Sequence, residues 1–68
     1  MLNIWKDKDI IFIEGDTTSL EFLSKLILAQ AKTDTNDSIS ISPKGAGKMF
    51  FSKKSQFGLY IHNTKAEK

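Results

Sequence analysis

Few side chains in this 68-residue sequence could carry out acid–base or metal chemistry. His62 is the only histidine, and no acidic residue lies within four positions of it. Asp7, Asp9, Glu14 and Asp16 lie close together along the chain, but their spacing is not that of a calcium-binding loop. Catalysis needs a nucleophile, a base and an orienting group, or a metal with three or four ligands. We therefore expect no enzymatic activity, no metal site and no cofactor.

A short glycine-rich segment, Gly45-Ala46-Gly47-Lys48, has some features of a phosphate-binding loop. Glycines let backbone N–H groups approach an anion, and a lysine can follow. The phosphate loop, however, has four residues between its glycines, a Ser or Thr after the lysine, and then a helix. Met49 follows the lysine here, and the next residues favour a strand. The segment is therefore predicted to be a turn.

The lysines are unevenly distributed. Residues 1–37 carry four lysines against seven acidic residues, whereas residues 38–68 carry six against one, and the chain has no arginine. Two predicted turns carry Lys44, Lys48, Lys53 and Lys54, with aromatic residues between them. Alternating cations and rings are typical of single-strand nucleic-acid binders, in which charges follow phosphates and rings stack on bases. A solvated surface is the simpler interpretation, and a nucleic-acid-binding module using these lysines remains an alternative.

Alternating and periodic patterns predict the elements. Asp9–Glu14 is a β-branched and aromatic run that predicts a strand, with which residues 2–5 could pair. Asp16-Thr17-Thr18-Ser19 supplies N-cap residues, and Thr18 with Glu21 fits a capping box, so a helix is predicted from about Thr18 to Lys32. Its apolar residues form one broad arc, with Leu28 on the polar side. Strands are predicted at 38–42, 48–52 and 57–62, separated by turns.

These elements predict a single α+β domain with one helix packed on a small, mostly antiparallel sheet of three or four strands, in the order β-α-β-β-β with a possible extra N-terminal strand. Residues 63–68 are expected to fray. There is no cysteine, no signal-peptide pattern and no apolar run of membrane-spanning length, so we expect a cytoplasmic protein that does not bind membranes. The chain is small enough that homodimer formation is left open.

The sheet face opposite the helix is a candidate contact surface. Alternation directs Tyr60 and His62 towards it, together with the serines of the 38–42 strand. Either Ile10 and Phe12 or Ile11 and Ile13 join them. Small polar residues with a few aromatics are compatible with protein binding. The exposed strand edges offer a second route, because their free backbone groups can extend a sheet.

The arrangement resembles the short immunity proteins of bacterial polymorphic toxin systems, in particular their thirty-second immunity class. The resemblance covers residues 10–62. It rests on a strand ending in Glu14-Gly15-Asp16, a leucine-rich helix with Leu20, Leu23, Leu26 and Ile27, a strand ending in Ser42-Pro43, and a last strand over 57–61. The family tends to carry a histidine and an acid where Ser40 and Ser42 to Lys44 stand here. The resemblance implies a stoichiometric inhibitor without chemistry of its own.

The leading hypothesis is therefore an immunity or antitoxin-like inhibitor that occludes a toxin domain through an interface of about 1,600 Å². The candidate contact residues are Tyr60, His62, Leu28 and, against a basic nuclease, Asp7, Asp9, Glu14 and Asp16. A mobile-element inhibitor of a bacterial defence nuclease is an alternative, since it too would be a small occluding binder. The sequence does not distinguish these two.

Overall fold

The computed structural model describes residues 1–33 and 38–64. It contains four strands, one α-helix and one 3-10 helix. In chain order these are β1 (Asn3–Asp7), β2 (Ile10–Glu14), α1 (Thr17–Ala31), β3 (Ser38–Ile41), the 3-10 helix (Lys48–Phe50) and β4 (Leu59–His62). The predicted α+β class is confirmed. Part of the predicted polar loop after the helix and most of the predicted frayed tail lie outside the described residues.

β1 and β2 form an antiparallel hairpin, which confirms the possible N-terminal strand. Trp5 pairs with Phe12 and Ile4 with Ile13, and a two-residue turn of Lys8 and Asp9 joins the strands. Lys8 has a φ of 58°, in the left-handed region, which gives the backbone the bend that such a turn requires. The hairpin therefore forms without the glycine or asparagine that usually indicates it.

Helix α1 begins one residue before the predicted Thr18. Its N-cap is Asp16, whose carboxylate accepts a hydrogen bond of 2.9 Å from the backbone N–H of Ser19. The capping box predicted from Thr18 and Glu21 is wrong, because the aspartate ahead of these residues already caps the first turn. The helix ends at Ala31, next to the predicted Lys32.

The helix covers less of the protein than its apolar arc predicted. Only Leu23 is buried, Phe22 and Leu26 are half-buried, and Leu20 and Ile27 remain exposed. The physical reason is the shape of the β-structure: β1–β2 and β3–β4 form two separate two-stranded sheets, not one continuous sheet. Two narrow sheets give the helix a smaller surface to cover than a four-stranded sheet would.

β3 and β4 pair antiparallel and confirm the alternation of both segments. Ile39 lies opposite Ile61 and Ile41 opposite Leu59, all of them buried or half-buried, while Ser40 and its partner Tyr60 are exposed. The turn predicted after Ser42 is present, closed by a 2.8 Å hydrogen bond from the N–H of Ser42 to the carbonyl of Ala46.

The strand predicted at 48–52 is wrong. Lys48–Phe50 is a 3-10 helix, and only Phe51 makes a β-bridge, parallel to Leu2. The bridge fixes Phe51 in the core, where it is buried with Leu2, Ile4, Leu23 and Ile41. Residues from both sheets and the helix thus share one core.

The edge of β1 that faces away from β2 is covered by the segment after the 3-10 helix. The N–H of Leu2 donates to the carbonyl of Phe50 at 2.8 Å, and the N–H of Gln56 donates to the carbonyl of Ile4 at 2.9 Å. β1 is therefore bonded on both sides as far as Ile4, whereas β2 is bonded by β1 alone among the described strands.

Candidate protein-binding surface

The turn half of the hairpin projects beyond the core. Ile10 is 57% exposed and Ile11 is 54% exposed, although neighbouring strand residues point to opposite faces. Lys6 and Asp7, which lie opposite them on β1, are exposed as well. No part of the chain that the structure describes covers either face there, so the hairpin presents large apolar side chains on both faces, and exposed apolar patches are typical of interaction sites.

The pairing register divides the hairpin into two faces. The outer face consists of Asn3, Trp5, Asp7, Ile10, Phe12 and Glu14, and the inner face consists of Ile4, Lys6, Ile11 and Ile13. Ile4 is in the core, which identifies the inner face as the one directed towards the protein interior. Ile13, next to the core, is nevertheless 43% exposed.

Two stacked aromatic rings form the centre of the outer face. The rings of Trp5 and Phe12 lie 4.3 Å apart at an interplanar angle of 10°. Glu14 Oε1 accepts a hydrogen bond from Trp5 Nε1 at 3.2 Å and another from Asn3 Nδ2 at 3.3 Å, which fixes the indole. Contacts within the hairpin thus hold the two rings in place.

The four acidic residues predicted as partner contacts do not form one patch. Asp7 ends β1 and Asp9 lies in the hairpin turn, whereas Glu14 ends β2 at its far end and Asp16 precedes the helix. Four strand steps separate Ile10 from Glu14, or about 13 Å. Glu14 and Asp16 also have partners within the chain.

Asp16 is engaged at the start of the helix. Hydrogen bonding to Ser19, and to a lesser extent the positive N-terminus 3.6 Å away, holds the pKa of its carboxyl below the usual range of an aspartate. Asp7 and Asp9 are the two acids that remain exposed at the projecting tip.

The other predicted contacts lie on different surfaces. Tyr60 is 67% exposed on β4, with its ring centroid 6.0 Å from that of the exposed His62. Leu28 is exposed on the helix. The structure therefore places Tyr60 and His62 together, as the alternation predicted, and leaves Leu28 on another element.

His62 also borders a shallow groove of about 400 Å³ between the end of α1 and β4. Its other walls are Ile27, Gln30, Ala31, Ile61, Asn63 and Thr64. Asn63 Nδ2 donates to the carbonyl oxygens of Gln30 at 3.0 Å and Ala31 at 3.3 Å, and so holds the end of the helix against the strand. Among the residues that the structure describes, no carboxylate lines this groove.

The four lysines of the nucleic-acid hypothesis are all exposed in the segment from 44 to 54. The rings between them are less available. Phe51 is buried, and Phe50 stacks on Phe22 with ring centroids 4.1 Å apart. Phe57 and Tyr60 remain exposed. The segment therefore offers fewer free rings for base stacking than its sequence indicates.

The sequence pattern does not single out Trp5, and it leaves open whether Ile10 and Phe12 lie on a contact face. The signal was present: Trp5 and Phe12 become cross-strand partners once the turn is placed at Lys8 and Asp9. The weak turn signal prevented that placement.

The fold and these surfaces define a small α+β domain that exposes apolar and aromatic residues on a projecting hairpin. Across residues 1–33 and 38–64, no cluster of three or more His, Cys, Asp or Glu side chains could hold a metal ion. In the same ranges, no helix has the length and apolar character needed to cross a bilayer. No family model matches the chain, and no curated protein or solved structure does so either.

Proposed function

We propose that this chain is a non-enzymatic binding protein that acts as an immunity or antitoxin-like inhibitor and occludes a toxin domain. The observation that carries the binding part is the projecting hairpin, with the Trp5–Phe12 stack on its outer face and Ile10 and Ile11 exposed on opposite faces. The toxin as partner comes from the sequence resemblance to immunity proteins.

The outer face has the composition of an interface centre. Aromatic residues are enriched at the centres of protein interfaces, where a few well-packed side chains supply most of the binding energy. Trp5 and Phe12 are already ordered, and Ile10 beside them exposes more than half of its surface. Covering these three side chains with a partner removes apolar surface from water without first ordering the rings.

Two carboxylates at the hairpin tip are available to a basic partner site. Asp7 and Asp9 are exposed next to Ile10, while Glu14 bonds to Trp5 at the opposite end. A nuclease toxin binds its substrate with basic residues, and Asp7 and Asp9 can pair with such residues directly when the tip is inserted there. Lys6 and Lys8 lie beside the two aspartates, so the tip carries no net charge and the aspartates act by direct pairing in the bound complex.

A capture experiment with matched variants tests this proposal. The tagged chain is used to isolate its partner from the native host, and the isolated protein is then assayed for toxic activity with increasing amounts of the chain. We expect inhibition to be complete at one equivalent. Ile10→Asp, on the outer face, should weaken inhibition at least about tenfold, because it places a charge in the apolar contact.

The control is Leu28→Asp, which adds the same charge at an exposed leucine on the helix; Leu28 was a candidate contact, but it lies on a different element from the hairpin, and this proposal leaves it outside the contact surface. It should inhibit as the unaltered chain does. Equal loss in both variants would reject the hairpin as the contact surface. A captured protein without toxic activity would reject the immunity function, and a host-defence nuclease in its place would support the mobile-element inhibitor instead.

A nucleic-acid-binding module is the second candidate, and the exposure of Lys44, Lys48, Lys53 and Lys54 favours it. Affinity for single-stranded RNA or DNA would then fall steeply with salt, because bound lysines release counterions. Fluorescence anisotropy with a labelled oligonucleotide measures this. Lack of binding at low salt rejects the candidate. If binding is observed, the quadruple Lys→Gln variant at these positions should abolish it.

A further inference from the structure

The backbone of β2 has an open edge. Ile4 donates its N–H to Ser55 Oγ at 2.9 Å and accepts from Gln56 at its carbonyl, so its backbone groups point away from β2. In an antiparallel pair, opposite residues direct their backbone groups either both towards the partner strand or both away from it. Ile13 lies opposite Ile4, and Ile11 lies two positions along the same strand. The N–H and C=O groups of Ile11 and Ile13 therefore point to the open edge.

This edge lacks the features that usually prevent sheets from joining. Protected edges carry lysine, proline or a bulge, or are covered by another segment. Residues 10–13 are Ile-Ile-Phe-Ile, three of them exposed isoleucines. No other segment in the ranges that the structure describes pairs with this side of β2. By contrast, the corresponding edge of β1 is bonded at Leu2 and Ile4 to residues 50–57.

We propose that β2 pairs antiparallel with β2 of a second copy of this chain, with the two-fold axis at Phe12. In this register Ile11 of one copy lies opposite Ile13 of the other, and both have outward backbone groups. These two pairs exchange four hydrogen bonds across the axis. The two hairpins then form one four-stranded sheet with the order β1-β2-β2-β1.

Side chains and charges fit this register. On the inner face, Ile11 and Ile13 of both copies form one cluster, and on the outer face the two Phe12 rings meet at the axis beside their Trp5 partners. Opposite Glu14 is Ile10, so no like charges face each other directly. Beyond the strands the chain turns away, at Lys8 into the hairpin turn and at Asp16 into helix α1, so the fit rests on the strand residues 10–14. This complementarity is why a second copy, and not an unrelated strand, is the occupant that we propose.

The dimer does not depend on the proposed toxin-binding function, because it is measured on the purified chain alone. Sedimentation equilibrium should give twice the monomer mass at high concentration. Ile11→Lys places two like charges in the inner cluster, and Ile13→Pro removes an outward donor without breaking the bonds to β1. Each should raise the dimer dissociation constant about tenfold or more. Leu28→Lys, an equal change at an exposed helix position, should leave it unaltered.

Cysteine cross-linking tests the register itself, because the chain has no cysteine of its own. Phe12→Cys places two thiols at a non-hydrogen-bonded pair, with Cα atoms about 4.5 Å apart, which a disulfide can span. Ile10→Cys, on the same face two residues away, is the matched control and should not cross-link, because four strand steps separate the two copies of position 10. Since Phe12→Cys removes the stack with Trp5, a mixture of Ile11→Cys and Ile13→Cys chains provides a second test that keeps it.

In that mixture the mixed disulfide should exceed either homodisulfide, because positions 11 and 13 face each other. A chain that stays monomeric near about 1 mM overturns the proposal. So does a dimer that Ile11→Lys leaves intact, or cross-linking through Ile10→Cys as efficient as through Phe12→Cys.

Discussion

The hydroxyl of Ser55 bonds to the backbone of Ile4, 51 residues earlier in the chain. The N–H of Ile4 donates to Ser55 Oγ at 2.9 Å, and the Ser55 hydroxyl lies 3.1 Å from the carbonyl oxygen of Phe57, to which it can donate. Ser55 is only 8% exposed. One buried hydroxyl thus stands where a neighbouring strand would bond to β1, and it joins the N-terminal hairpin to the loop before β4.

Replacing Ser55 with alanine should lower the free energy of unfolding by about 1–3 kcal/mol, because the buried N–H of Ile4 loses its acceptor. Urea denaturation followed by circular dichroism measures the change. The matched control is Ser52→Ala. The Ser52 hydroxyl oxygen is buried without a hydrogen-bond partner, so its removal should be neutral or stabilising. Equal destabilisation by both variants would show that the Ser55 bond is not specific.

How well the sequence predicts an element depends on how far apart along the chain its stabilising contacts lie. The alternation of Ser38 to Ser42 and the N-capping residues before α1 are local signals, and both predicted their elements. The prediction of a strand at 48–52 is wrong because Met49-Phe50-Phe51 is a short continuous apolar run. Periodicity cannot decide whether such a run is a strand or a helix. Its conformation is determined by Phe51 entering the core beside Leu2.

The division into two sheets and the candidate surface were not predictable for a related reason. Whether β1–β2 joins β3–β4 depends on contacts between residues far apart along the chain, such as Ser55 with Ile4, which are 51 positions apart. The Trp5–Phe12 face depends on the register of the hairpin, and that register depends on a turn with Lys8 at positive φ. Lysine gives no sequence signal for that conformation.

Asp16 should make stability depend on pH. Its pKa is lowered in the folded chain by the Ser19 hydrogen bonds, so its contribution is fully present above the unfolded-state pKa of about 3.9 and is lost as the pH falls through the lower folded-state value. Asp16→Ala should lower the thermal midpoint at pH 7, and the difference from the unaltered chain should shrink at lower pH. Asp16→Asn keeps a capping oxygen without a titrating group. Its thermal midpoint at pH 7 should stay close to that of the unaltered chain, and it should lose this pH dependence.

Gly58 lies against β3 so closely that a side chain there has no space. A Cβ at Gly58 would meet the carbonyl oxygen of Ile41 and would lie 2.7 Å from Ser42 Cα, both of them backbone atoms that cannot rotate away. Gly58→Ala should therefore destabilise the fold by about 1–3 kcal/mol and loosen the β3–β4 pair. Gly45→Ala is the control, since its Cβ would meet only Ser42 Cβ at 3.9 Å. Thermal denaturation of both variants measures the difference, and equal midpoints would contradict this close approach.

Replacing Lys8 with glycine should stabilise the hairpin turn. A non-glycine residue in the left-handed region is strained by its Cβ, by about 1–2 kcal/mol, whereas glycine adopts that region freely at some cost in unfolded-state entropy. Lys8 is exposed, so little packing is lost, and Lys8→Gly should stabilise the chain by about 0.5 kcal/mol or more. Asp9→Gly changes the neighbouring turn residue, which is not at positive φ, and should instead be neutral or destabilising. Urea denaturation at low protein concentration compares the two, and a gain from Asp9→Gly with a loss from Lys8→Gly would show that the turn has a different geometry.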